Sequence, residues 1–132
     1  MKHCEKEKMS IREEYAEIVK LREEEEDKDL SELPDYWETS PAIKAEIELF
    51  TRNLQETVDF LDNDCTEEQL LWLSEVFEEI SAKLQSWEFI DALKRAALRF
   101  PENEERFSSC ILFAEGQLDD DVYRQRHPEF GK

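Results

Sequence analysis

Apolar residues recur every three or four positions through most of this chain, and each run is opened by a residue suited to start a helix. Ile11, Tyr15, Ile18 and Val19 form the first stripe, and Ser10 with Glu13 has the spacing of a capping box, so the pattern predicts a helix over residues 10–29. Its second half is almost all charge. Residues 23–27 are five consecutive acids, which reads as a solvated or fraying end. Residues 30–40 (LSELPDYWETS) form a linker that exposes or docks Tyr36 and Trp37. Ser40 then caps a second helix with Pro41 at its first position, and Ile43, Ile47, Phe50, Leu54, Val58 and Leu61 give it one core face as far as about Asp62.

Thr66 and Gln69 make the next capping box, with Cys65 placed to pack on Leu70 as a hydrophobic staple. The third helix follows through Leu70, Leu73, Phe77, Ile80 and Leu84, and the short turn before it implies that it runs antiparallel to the second. Ser86 caps a fourth helix with Phe89 or Ile90, Leu93, Ala97 and Phe100 inward. Pro101 restarts the chain into a fifth, with Phe107, Cys110, Ile111, Ala114 and Leu118 on one face. The reading is an all-α chain of five or six helices packed as antiparallel hairpins, in a bundle or a short HEAT-like stack. Within one domain, residues 1–132, it separates an acidic N-terminal helix and linker (1–39), an acidic hairpin (40–85), a second hairpin (86–118) and a fraying tail (119–132) in which Val122 docks.

Composition changes this picture in two respects. Hydrophobic and charged residues each make up 39% of the chain, so it should fold despite a net charge of -18. Two glycines and four prolines are too few for an all-β protein. No apolar run approaches the length of a membrane span and the start has no apolar signal region. The odd, widely spaced Cys4, Cys65 and Cys110 support neither a disulfide framework nor a zinc site. A cytoplasmic location is the expectation.

Catalytic patterns are absent: His3 and His127 lie near the ends, and no metalloprotease, di-iron, phosphate-loop or nucleophile–histidine arrangement occurs. No cofactor is expected. Residues 27–38 put Asp27, Asp29, Ser31, Asp35 and Glu38 at calcium-loop spacing, but Glu32 stands where the turn needs glycine and Pro34 removes an N–H, so chance spacing in an acidic chain is the better account.

The remaining signal is charge. Residues 45–82 hold eleven carboxylates and one base, Arg52. A surface of that sign attracts cationic partners and repels nucleic acid and anionic membranes. At about 100° per residue, Glu68, Leu71, Trp72, Glu75 and Glu79 fall opposite the Leu73 and Phe77 core face. Trp72 and Leu71 there are either packed against the first helix or, for Trp72, the anchor of a carboxylate-ringed interface. The candidate partner-binding residues are Glu56, Asp59, Asp62, Asp64, Glu67, Glu68, Trp72, Glu75 and Glu79.

Residues 53–66 (NLQETVDFLDNDCT), 72–80 (WLSEVFEEI), 88–90 (EFI) and 99–102 (RFPE) resemble the small helical immunity proteins of bacterial polymorphic-toxin and contact-dependent growth inhibition systems. The likeness covers a little over a third of the chain and rests mostly on turn and core residues. It implies a cytoplasmic antidote that binds one toxin domain, often a nuclease, without catalysis. The acidic surface agrees, because nucleases are commonly basic where they hold phosphates. The rival reading is an acidic chaperone or adaptor that holds a peptide or helix of another protein.

Overall fold

In the computed structural model, which describes residues 10–129, every element is helical and no strand occurs among the described residues. His3 and Cys4 lie outside them. The helices are α1 (Ile11–Asp27), α2 (Tyr36–Thr39), α3 (Pro41–Thr51), α4 (Leu54–Asn63), α5 (Glu67–Ser74), α6 (Phe77–Leu84), α7 (Trp87–Leu98), α8 (Glu104–Glu115) and α9 (Asp120–Tyr123), with short 3-10 turns at Leu30–Glu32 and Pro101–Asn103. Among the described residues no helix is long and apolar enough to cross a membrane.

The caps act where the sequence places them. Ser10 and Glu13 close a reciprocal capping box on α1, and Thr66 and Gln69 do the same on α5. Ser40 accepts from the Ile43 N–H and Ser86 from the Glu88 N–H. Each such bond satisfies one of the N–H groups that a helix start leaves without a partner.

Two expected helices are broken. The second divides at Asn53, whose extended backbone and side-chain bond to the Glu56 N–H make it a fresh N-cap, while Thr57 Oγ1 donates to the stranded Phe50 carbonyl at 2.8 Å. Asparagine competes well with the helical backbone for hydrogen bonds, so continuous apolar spacing does not guarantee a continuous helix. The third divides at Val76, where φ is -121° and ψ 15°. Both breaks redirect packing. α3 lies against α6, while the pieces next to the turn part company, α4 packing on α7 and α5 on α8. α1 covers α3, and α7 and α8 lie side by side.

The result is one apolar cluster running from Tyr15 to Leu118, with Phe50, Phe60, Phe77, Phe89 and Phe107 fully enclosed. Each such ring contributes about 1.5–3 kcal/mol by leaving water. Tyr15 meets Phe50 edge to face at 4.8 Å between centroids, which ties α1 into the core. In α7 the buried positions are Trp87, Phe89, Ile90, Ala92, Leu93 and Ala96, and the expected Ala97 and Phe100 sit at the margin. The C-terminal residues are docked where fraying was expected. Trp87 Nε1 donates to the Val122 carbonyl at 2.8 Å, His127 stacks on Tyr123 at 4.3 Å, and Arg126 donates from Nη1 and Nη2 to the two Asp91 carboxylate oxygens.

Candidate functional site

The acid run of α1 is not simply a solvated end. The stripe begun by Tyr15 and Val19 continues with Arg22 and Glu25, both buried. Glu25 accepts from the Tyr36 hydroxyl (2.9 Å), the Ser40 hydroxyl (2.6 Å) and the Ala42 N–H (3.3 Å), so it anchors the linker and the start of α3. These three donors satisfy its buried oxygens, and it makes no ion pair among the described residues.

Arg22 is the centre of the arrangement. Its Nη1 donates to Glu46 Oε1 at 2.7 Å, its Nη2 donates to Glu75, and its guanidinium lies over the Trp72 ring, 4.8 Å from the centroid. The Tyr15 hydroxyl donates to the other Glu46 oxygen. Glu46, counted with the anionic surface when the sequence is read alone, is fully enclosed. Burial pushes its carboxyl up to about 7, against the pull of Arg22 and the Tyr15 hydroxyl. Burial opposes the charge on Arg22, but Glu46 and Glu75 together hold its pKa above the ordinary arginine value. Arg22 Nε is buried with no hydrogen-bond partner among the described residues.

Outside this network lies a recess of about 280 Å³ lined by Glu26, Glu68, Leu71, Trp72, Glu75 and Arg106. Helix α1 supplies Glu26, α5 supplies Glu68, Leu71 and Trp72, Glu75 caps α5, and α8 supplies Arg106. Leu71 and Trp72 are half-buried against the core, and the part of Trp72 left open lines the recess beside these carboxylates and Arg106. Arg106 stands 3.9 Å from Glu75 and donates to Ser74 Oγ at 3.2 Å. Glu26 and Glu68 make no ion pair among the described residues.

The structure therefore brings Glu68, Trp72 and Glu75 together and scatters the other candidates. Glu56 shares Arg52 with Glu14. Asp59 accepts from Gln55, Asp62 holds Arg95 at 2.9 and 3.1 Å, and Glu67 accepts from Asn103. Asp64, beside the turn, and Glu79, in the first turn of α6, are exposed. The local excess of eleven carboxylates over one base is partly balanced from a distance by Arg22, Arg95 and Arg106, with Arg99 bound to the Leu61 and Cys65 carbonyls behind the same turn. Of the eleven, Glu46 alone is buried, and Glu68 and Glu75 are the two that share the recess with Trp72.

Glu26, Arg22 and Arg106 escaped sequence reasoning. For the first two a signal existed: Tyr15, Val19, Arg22 and Glu26 keep the four-three-four spacing of the apolar stripe. Nothing local marks Arg106. The residues at calcium-loop spacing lie across the end of α1, a left-handed Asp29, a 3-10 turn and α2, and no group of three or more acidic, histidine or cysteine side chains that could hold a metal ion occurs among the described residues. Burial pushes the Cys65 thiol up to about 12, which removes it as a nucleophile. Carboxylates beside an aromatic ring are an arrangement suited to a cation. No protein-family model, curated protein or solved structure matches this chain.

Proposed function

We propose that this chain is a stoichiometric inhibitor of a basic protein: a cytoplasmic immunity protein that binds and neutralises one cognate bacterial toxin domain, such as a nuclease, without cofactor or catalysis. The observation that carries the reading is the recess in which Glu26, Glu68 and Glu75 surround Trp72, two of those carboxylates having no base of their own among the described residues. The net charge of -18 would draw a cationic domain in from about a Debye length, 8–10 Å at physiological salt, and the recess would then take a lysine or arginine side chain beside the indole. Behind it, the bonds from Arg22 to Glu46 and Glu75 hold Trp72 and Glu75 in place before the partner arrives, which limits the ordering cost of association.

The test is protection of cells that express a candidate toxin domain taken from a gene neighbouring the one for this chain, together with the binding kinetics of the purified pair. Glu26→Lys/Glu68→Lys should slow association by tenfold or more, weaken its salt dependence and abolish protection while leaving helicity unchanged. Trp72→Ala should act mainly on dissociation, with a cost of about 2 kcal/mol, the level that marks an interface hot spot. Unchanged association and full protection by the charge-reversed chain would show that the recess is only a solvated surface.

A further inference from the structure

We infer that the groove between α7 and α8 is a second docking surface, and that its occupant is an amphipathic helix of another protein whose apolar stripe ends in lysine or arginine. A cavity of about 390 Å³ opens there, lined by Ala97, Leu98, Pro101, Ile111 and Leu112 among others. Leu98 is 79% exposed and Leu112 66%. Scattered exposed leucines are ordinary, but two that face one groove in a chain with 39% charged residues form an apolar patch that folding leaves uncovered. Leu112 and Glu115 also line a neighbouring recess of about 280 Å³ that reaches Leu118 and Tyr123, so the apolar surface continues past the end of α8.

Charge selects the occupant. Lys94, the only base lining either recess among the described residues, is paired with Glu115 at 2.9 Å. Glu104 at one end and Asp120 at the other make no ion pair among the described residues. An apolar floor with an acidic residue at each end complements an apolar stripe with basic ends. A second copy seated groove to groove would set these acids against each other and join two chains of net charge -18. Residues 1–9 of this chain offer only Met1, Cys4 and Met9 as apolar anchors. The length also suits a helix: the 12 residues of α8 run for about 18 Å, and anchors at i, i+4 and i+7 span about 11 Å. This groove shares no lining residue with the Trp72 recess, so the two surfaces can be occupied independently.

The probe is a fluorescein-labelled peptide of about four helical turns, with leucines at i, i+4 and i+7 and lysines at both ends. It is compared by anisotropy with a peptide of the same composition whose leucines are scattered, and with one ending in glutamates. The ordered, lysine-ended peptide should bind at least tenfold more tightly than either. Leu98→Ser/Leu112→Ser, at two exposed positions, should weaken it tenfold with unchanged circular dichroism. Glu104→Gln/Asp120→Asn should remove the preference for lysine ends, and Glu26→Lys/Glu68→Lys should leave binding unchanged, which separates this surface from the recess. Equal binding of the scattered peptide, or no effect of the double serine variant, overturns the inference. So does self-association of the protein alone that Leu112→Ser abolishes, because the groove would then be an interface between copies.

Discussion

Replacing Arg22 with Met keeps most of the side-chain volume and removes the charge that Glu46 faces. The guanidinium and the carboxylate are both out of water, 2.7 Å apart, and side-chain exposure is 3% for Arg22 and 0% for Glu46. Removing one member of a pair so enclosed costs about 3–5 kcal/mol, because the other charge is left without compensation. The methionine recovers part of the packing against Trp72, which places the expected loss at the lower end, about 3 kcal/mol. Urea titration followed by circular dichroism measures it: with a slope of about 2 kcal/mol per molar, the midpoint should fall by about 1.5 M. The loss should shrink at pH 5. There Glu46, freed of the arginine that lowers its pKa, takes a proton and stays neutral in its buried place beside Tyr15. A loss below 1 kcal/mol at pH 8, the range of exposed pairs, would refute this account of the network.

Other outcomes follow from the same geometry. Glu46 is protonated more readily in the folded chain than its ordinary value of 4.5 allows, so it favours folding at low pH, and that advantage is lost as pH rises from about 4.5 to about 7. Comparing unfolding free energies of wild type and Glu46→Gln across this window should show wild type losing about 3 kcal/mol relative to the variant, and a flat difference would contradict the shift. Glu75→Lys should cost about 1–2 kcal/mol in chemical denaturation, since it sets a cation against Arg22 at a site 35% open to water. Glu68→Lys should change stability by less than about 0.5 kcal/mol in the same titration. Thr66→Ala removes the bond to the Gln69 N–H and should cost about 1 kcal/mol, visible as a lowered thermal midpoint. Glu25→Ala strands the Tyr36 and Ser40 hydroxyls and should increase amide exchange across residues 30–42 before the rest of the chain.

Read alone, the amino-acid order determined the all-α class, the starts at Ser10, Ser40, Thr66 and Ser86, and most of the buried stripe. These depend on interactions within one helical turn, where spacing and residue type are sufficient. It left hidden the breaks at Asn53 and Val76, because both sit inside apolar spacing that continues across them and only competition among packing partners selects the break. The candidate site was half legible. Glu68, Trp72 and Glu75 share a face of one local segment, so helical period alone could group them. The tertiary structure decided which carboxylates keep their charge exposed. Arg22, Arg95 and Arg106 reach Glu46, Glu75 and Asp62 from positions 24 to 53 residues away. Coulomb attraction acts through space and not along the chain, so a charge balance counted along the sequence overstated the anionic surface that the folded molecule presents.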